Sequence, residues 1–210
     1  KRVKFIKNDC NKGLAYTLNH CLEVATGEYI ARMDDDDESH LDRFEKQVEF
    51  LDKHSEYGLV GSNMNLFDKE RGIWGLRKYP EIVKKEDFLY RVAVPHPTIM
   101  ARRSAYDIVN GYRDLPKTLR VEDYDCFMRM FARGVKMYNF QEPLFNYRED
   151  SRCAKKKKYK YRFNEMWVRR NGFFELKINK IKALPYVIKP LIAGLIPQKI
   201  IKQSQKNSGN

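Results

Sequence analysis

The sequence predicts an α/β protein in which a mostly parallel sheet is flanked by helices and followed by a basic helical C-terminal tail. Two observations carry this prediction. Along the first half of the chain, short apolar runs of strand character alternate with amphipathic stretches of helical period. Strands separated by helices of this length are typical of βαβ units, which build parallel sheets. At 210 residues, the chain is long enough for one sizeable core and an appendage.

Periodicity justifies each predicted element of the first half. The apolar run VKFI at 3–6 favours a short strand. Residues 14–25 repeat apolar side chains every three or four positions, as one face of a helix requires, and Gly27 ends that helix. Further along, the pattern predicts a strand in YIARM at 29–33, an amphipathic helix at 41–54 and a strand in GLVGSNMNLF at 58–67.

The second half of the chain carries weaker signals. They predict helices at 81–91 and 123–133, a strand in TIMAR at 98–102, and strands in VKMYNF and LFNYR. From residue 151 the composition changes to KKKKYKYRF and then to a basic helical segment. This change divides the chain into a folded domain at 1–150 and a basic, partly amphipathic helical extension at 151–210.

The chain is strongly basic, with 41 Lys and Arg against 28 Asp and Glu and a net charge of +13. This excess favours an anionic partner: nucleic acid, an acidic membrane surface or a phosphorylated substrate. The four cysteines are scattered without a CxxC pair, so we expect reduced thiols of a cytosolic protein rather than a zinc site or disulfides. We expect no signal peptide and no membrane-spanning segment.

Four consecutive aspartates, Asp34 to Asp37, follow the strand predicted at 29–33. Adjacent carboxylates repel one another, so they need either full solvation or a cation. In open α/β sheets ligands bind beyond the carboxyl ends of the strands, and carboxylate oxygens suit Mg²⁺ or Mn²⁺. A solvated acidic loop, or capping of the following helix, explains the same residues. From spacing alone both interpretations remain open.

A second acidic pair, Glu122 and Asp123, stands at the start of the helix predicted at 123–133. Such carboxylates cap a helix and complement its dipole. A carboxylate at a helix start that faces a cleft also serves as a general base. Taken alone, the pair favours the capping interpretation.

Together these motifs resemble glycosyltransferase family 2. The stretch NDCNKGLAYTLNHCLEVATGEYIARMDDDDESHLDRFEKQVEFL carries the family's N-x-G helix, then GEYIA, D-x-D-D and R-F-x-x-Q. Downstream, the family's order is followed by VGSNMNLFD, HPTIMARRSAYDIVNGYRD, VEDYDCFMRM, GVKMYNF and PLFNYRED. The resemblance covers roughly residues 3 to 150. It implies a GT-A-type, Rossmann-like fold and inverting transfer of a sugar from a nucleoside diphosphosugar.

The resemblance also implies roles for individual residues. Asp36 would hold a divalent metal, Mn²⁺ or Mg²⁺, and Asp34 would face the nucleotide ribose and the metal shell. Asp123, beside Glu122, matches the catalytic base. The residues expected along the nucleotide sugar are Asp34, Asp35, Arg32, Asn11 and Gly13, and those expected at the acceptor cleft are His96, Pro97 and Thr98. For Arg32 a surface role is equally open.

Three features depart from the family pattern. Asp150 stands where members often carry a histidine that reaches the metal. At this position Asp150 fits either as an oxygen ligand of the metal or as a solvated side chain. Leu41 replaces a proline that only pre-sets a helix start, which is tolerable. The chain opens at what resembles the family's third strand. We therefore expect the base- and ribose-binding half of the nucleotide site to be missing and sugar-nucleotide binding to be poor.

The C-terminal tail has four open interpretations. Lys155 to Lys158, interleaved with nearby tyrosines, would suit phosphates and stacked bases, or would form a solvated helix face. The apolar stretch LPYVIKPLIAGLIP at 184–197 suits a membrane interface, where neighbouring lysines are drawn to anionic lipid. The same stretch would also pack on the domain or on a partner chain.

The predicted function is metal-dependent sugar transfer from a nucleotide sugar, with UDP as the expected base, to a hydroxyl of a glycan or lipid-linked acceptor. Bacterial surface polysaccharide or lipopolysaccharide assembly is the setting that analogy suggests. The expected location is cytoplasmic and peripheral on the inner face of the plasma membrane, and nucleic acid is not an expected partner. The alternative is an inactive fragment that acts as a basic membrane-surface or nucleic-acid binding module.

Overall fold

The computed structural model describes residues 2–149 and 158–195. The strands are β1 (Tyr29–Ala31), β2 (Glu38–Ser39), β3 (Tyr57–Asp68), β4 (Gly72–Arg77), β5 (Met100–Arg102) and β6 (Lys136–Arg148). The helices are α1 (Leu14–Val24), α2 (Arg43–Lys53), α3 (Asp87–Tyr90), α4 (Arg103–Asp107), α5 (Glu122–Ala132), α6 (Lys160–Glu175) and α7 (Lys180–Leu195), with a 3-10 turn at His96–Thr98.

The strands form one mixed sheet in the order β1-β5-β3-β6-β2, with β4 paired to β3. Within the described residues only β3 and β6 run parallel, and the other pairings are antiparallel. The α/β class with flanking helices is confirmed, but the sheet is not mostly parallel. For β3 and β4 the reason is connection length, because the short turn at 69–71 permits only an antiparallel pair. The other antiparallel pairs join strands that are distant in the chain, and no local pattern determines their relative direction.

Apolar side chains on both faces of the sheet are covered by helices. Neighbouring residues of β3 point to opposite faces, so Leu59 joins the main core while Val60 packs with Leu51 of α2. The main core contains side chains of α3, α5 and α6, among them Phe127 of α5 and Phe173 of α6. Helix α5 is therefore buried around most of its circumference, against α6 and within the main core.

Three predicted elements differ from the structure. The strand predicted at 3–6 was wrong: residues 2–13 form no helix or strand, and Val3 and Phe5 are 82% and 88% exposed. The helix predicted at 81–91 is reduced to α3, because Ile82 forms an isolated bridge to Tyr138 instead. The two strands predicted in VKMYNF and LFNYR are one continuous strand, β6, whose pairing with β3 shifts register near Pro143.

The C-terminal helices pack on the domain and on each other. Helix α6 contacts α3 and α5, and buries Val168 and Phe173. Helix α7 contacts α6 and α3, and contains Pro185 and Pro190 within its length. In the described part of the chain, no helix combines the length and apolarity that crossing a bilayer requires. The division at residue 150 stays a prediction.

Candidate active site

The acidic loop, residues 34–37, lies between β1 and β2. Two arginines, Arg32 and Arg43, hold the backbone at its start. Arg32 forms an ion pair with Asp34 and is only 12% exposed at its side chain, so it is not a surface residue. Its backbone N–H donates to the Ile99 carbonyl (3.1 Å), and its own carbonyl accepts a hydrogen bond from Nη2 of Arg43 (2.7 Å). These contacts fix the backbone immediately before the aspartates.

Arg43, on α2, is fully buried and donates to several neighbouring groups. Besides the Arg32 carbonyl, it donates to the Ile99 carbonyl (3.3 Å) and to Oε1 of Gln47 (3.2 Å). Burial, together with the positive charge of Arg32, lowers the pKa of Arg43 to about 10. The R-F-x-x-Q motif contains Arg43, but sequence reasoning gave it no role, because nothing in the local pattern shows that this side chain is buried.

The four aspartates have different environments. Asp35 and Asp36 are exposed, Asp34 is half-buried, and Asp37 is buried. Oδ1 of Asp37 accepts a hydrogen bond from the Arg148 backbone N–H (2.8 Å), and its Oδ2 has no hydrogen-bond partner among the described residues. The pKa of Asp37 is raised to about 6, mainly by desolvation and in smaller part by the charges of Asp34 and Asp36, against the lowering effect of the Arg148 N–H.

The donor set of this loop fits a divalent cation. Mg²⁺ binds in enzymes through one or two carboxylates plus substrate phosphates, and Asp34, Asp36 and the spare oxygen of Asp37 are hard oxygen donors of this kind. Within residues 2–149 and 158–195, no three His, Cys, Asp or Glu side chains form a group that could hold a metal by themselves. Asp150, the third expected ligand, lies outside the described residues.

Asn11 and Gly13 form the turn that starts α1. Oδ1 of Asn11 accepts the Gly13 N–H (3.1 Å), and the Gly13 carbonyl accepts hydrogen bonds from the Thr17 N–H and hydroxyl. Gly13 has a φ of 89°, a conformation that favours glycine. This local role explains both residues, and their place beside a nucleotide stays a prediction.

His96, Pro97 and Thr98 are all buried in the domain interior. Nε2 of His96 lies 2.8 Å from the Tyr112 hydroxyl, and burial lowers the pKa of His96 well below its ordinary value, with a further contribution from the charge of Arg32. The Thr98 hydroxyl donates to the Pro95 carbonyl (3.0 Å). The three residues shape the interior behind the acidic loop, and the acceptor role expected of them stays a prediction.

The second acidic pair, Glu122 and Asp123, lies at the start of α5, and its two side chains make different contacts. Glu122 is buried, and its Oε1 accepts a hydrogen bond from the backbone N–H of Arg120 (2.9 Å). The backbone of Arg120 has a φ of 73°. Asp123 is half-buried, and its Oδ1 accepts the Tyr124 N–H (2.8 Å). Both carboxylates lie in the first turn of α5, where they complement its dipole, and of the two only Asp123 also lines a cavity.

This cavity, of about 380 Å³, lies between the start of α5 and the two C-terminal helices. We call it the cationic cavity because its charged lining consists of five basic side chains and two carboxylates. They are Arg91, Arg120, Arg162, Arg169 and Lys189, with Asp123 and Glu165. Sequence reasoning did not find it, because its lining comes from four separate segments of the chain.

A family model and individual relatives both match this chain to glycosyltransferases. The model of the glycosyl transferase family 2 matches residues 1–133. The glycosyltransferase EpsE of Bacillus subtilis is 40% identical over 98% of this chain and 73% of its own length. The amylovoran biosynthesis glycosyltransferase AmsE of Erwinia amylovora is 27% identical over 91% of this chain and 72% of its own.

Among solved structures, TarS of S. aureus in complex with UDP-GlcNAc superposes with a TM-score of 0.61 at 14% identity. The match covers 86% of this chain and 52% of the TarS chain, so this chain spans about half of that protein's crystallised length. At this identity the likeness concerns the fold, which is of the GT-A type. With the family model covering more than half of the chain and EpsE at 40% identity, the chain belongs to glycosyl transferase family 2, a family of enzymes.

Proposed function

We propose that this chain transfers a sugar from a nucleoside diphosphosugar to a hydroxyl of a glycan or lipid-linked acceptor, with inversion at the anomeric carbon. One observation carries the proposal. An acidic loop presents exposed carboxylates beside the sheet, while a separate carboxylate, Asp123, lines a cavity at the start of α5. A single displacement needs charge stabilisation on the leaving side and a base on the attacking side, and these two features supply both.

On the leaving side, Asp34 and Asp36 would hold Mn²⁺ or Mg²⁺. A metal held there would supply the positive charge that neutralises the departing diphosphate. Arg32 keeps the Asp34 carboxylate oriented through their ion pair, and Asp37 keeps the loop attached to β6. These contacts preorganise the loop, so that little reorganisation is needed when the donor arrives.

On the attacking side, Asp123 would accept the proton of the acceptor hydroxyl. The hydrogen bond from the Tyr124 N–H to its Oδ1 fixes the orientation of the carboxylate. As the proton moves to Asp123, the acceptor oxygen forms its bond to the anomeric carbon. The bond from that carbon to the diphosphate breaks, and its electron pair leaves with the nucleoside diphosphate.

The relatives support a donor class and a setting. TarS was solved with UDP-GlcNAc, which supports a UDP-linked donor here. AmsE takes its name from the biosynthesis of amylovoran, which supports a role in bacterial polysaccharide assembly. We therefore propose surface polysaccharide assembly as the setting of the reaction.

A peripheral position on the membrane fits one face of α7. Apolar side chains recur at intervals of three and four residues and are exposed, on the face opposite the buried Ala183 and Pro190. They are Ile181, Leu184, Ile188, Ile192 and Leu195. Exposed lysines of the same helix flank this apolar face, which is the arrangement of interfacial helices on anionic lipid.

Calorimetric titration of UDP and UDP-sugars with and without Mn²⁺ tests the proposal. We expect weak binding, because the base- and ribose-binding half is expected to be missing, and this binding should require Mn²⁺ and be lost in Asp36→Ala. Asp114→Ala is the matched control, because Asp114 is an exposed aspartate outside the loop. Binding that is equal with and without Mn²⁺, and equal in the two variants, would contradict the metal role of the loop.

A further inference from the structure

The cationic cavity carries more positive charge than its own carboxylates balance. Glu165 is shared by two of the arginines, since its carboxylate lies 3.4 Å from Nη1 of Arg162 and 3.1 Å from Nη2 of Arg169. The lining therefore keeps an excess of cationic groups, which includes the exposed Lys189 of α7. Such a concave, positively charged site attracts a compact anion.

Arg162 provides an independent indication of a ligand. Its Nε is buried and has no hydrogen-bond partner among the described residues, although the same side chain is paired through Nη1 with Glu165. Buried N–H donors in folded proteins are almost always satisfied. The guanidinium of Arg162 is therefore incompletely satisfied although the residue lines the cavity, and guanidinium groups match phosphate oxygens well.

The position of Asp123 shows which substrate such an anion belongs to. This step rests on the proposed function, in which Asp123 is the base. In a single displacement with inversion, the base lies on the face of the sugar opposite the departing diphosphate. A cavity lined by Asp123 is therefore on the acceptor side, and an anion bound there is part of the acceptor rather than of the donor.

We propose that the cationic cavity binds a phosphate group of the acceptor, close to the hydroxyl that receives the sugar. The guanidinium of Arg162 and Nζ of Lys189 donate to the phosphate oxygens, and Asp123 faces the adjacent hydroxyl. The volume of about 380 Å³ lies within the range of small-molecule sites. A lipid-linked diphosphate and a phosphorylated glycan present this same chemistry.

Titration with inorganic pyrophosphate in the absence of divalent metal tests the cavity directly. We expect one site whose affinity falls about tenfold in Lys189→Gln, the loss typical of one charge-assisted hydrogen bond. Lys182→Gln is the matched control, because Lys182 is an exposed lysine of the same helix outside the cavity. Arg162→Gln should weaken binding similarly, whereas Arg170→Gln, on the same helix, should not.

Two ligands distinguish the sources of the phosphate. Geranyl diphosphate binding more tightly than pyrophosphate would support a lipid-linked acceptor, and glycerol 3-phosphate binding as tightly as pyrophosphate would support a phosphorylated glycan. Absence of pyrophosphate binding, or equal affinities in Lys189→Gln and Lys182→Gln, would overturn the proposal. Because this titration contains neither nucleotide nor metal, its failure is separable from failure of the UDP and Mn²⁺ titration that tests the donor site.

Discussion

The backbone N–H of Arg148 donates a 2.8 Å hydrogen bond to Oδ1 of Asp37, and so attaches the acidic loop to the end of β6. The two residues are 111 positions apart in the chain. The loop that resembles the family's metal-binding motif is therefore oriented by a strand from the far end of the domain. Asp37 contributes through this attachment, whereas Asp35 and Asp36 remain exposed to solvent.

Replacing Asp37 should destabilise the fold more than replacing its exposed neighbour. Asp37→Ala removes the acceptor of the Arg148 N–H, and we expect the free energy of unfolding to fall by about 1–3 kcal/mol. Asp37→Asn keeps an acceptor oxygen and should lose less. Asp35→Ala should change stability by less than about 0.5 kcal/mol. Urea unfolding of the three variants measures these differences, and equal stability of Asp37→Ala and Asp35→Ala would contradict the anchoring role.

Arg43 should not tolerate exchange for lysine. Its planar guanidinium donates at once to the carbonyls of Arg32 and Ile99 and to Gln47, and an ammonium group cannot match that fork. We expect Arg43→Lys to lower the free energy of unfolding by about 2 kcal/mol. Lys53→Arg, an exposed exchange at the other end of α2, is the control. Thermal denaturation compares the two, and an unchanged Tm for Arg43→Lys would refute this account.

Acid should destabilise the protein through His96. Its pKa in the folded state is well below the ordinary value of 6.5, so the unfolded chain binds the proton first and stability falls as pH drops below 6.5. We expect His96→Gln to lose less stability than the unmodified chain between pH 7 and pH 5. Unfolding curves at both pH values measure this difference.

The control for this prediction is His54→Gln, because His54 is roughly half exposed. It should follow the pH dependence of the unmodified chain. If His54→Gln and His96→Gln respond alike to acid, burial of His96 is not the source of the effect.

Asp123 and Glu122 should separate in their effects on catalysis and stability. Asp123 is the proposed base, so the Asp123→Asn replacement should reduce kcat by roughly 10²–10⁴-fold with little change in Tm. Glu122→Gln should leave most of the turnover, because its side chain is engaged with the Arg120 backbone. Sugar transfer and thermal unfolding are measured on both variants, and full turnover in Asp123→Asn would exclude it as the base.

The apolar face of α7 should carry membrane binding. Replacing Ile188 and Ile192 by Ser removes exposed apolar surface, and we expect weaker sedimentation with vesicles that contain anionic lipid. Binding by the unmodified chain should also weaken as salt is raised, since lysines contribute. Ile73→Ser, an exposed apolar residue on β4, is the control. Identical vesicle binding by all the variants would show that α7 is not the contact.

Local periodicity predicted the elements that are long and amphipathic. Helices α1, α2 and α5 and strand β3 lie within two residues of their predicted ends, because their own apolar pattern determines which face is buried. The strand predicted at 3–6 did not form, although its residues favour β structure. A strand also needs a hydrogen-bonding neighbour, and none of the described strands pairs with that segment.

By itself the sequence determined the family, through motifs whose order along the chain is more specific than any one of them, and with it the α/β class. Only the tertiary structure decided the direction of the strands, the cationic cavity, and which aspartate of the four turns inward. Four identical neighbours have the same local preferences, so burial and a hydrogen-bond partner must distinguish them. For Asp37 that partner is Arg148 on β6, which no local pattern near the loop reveals.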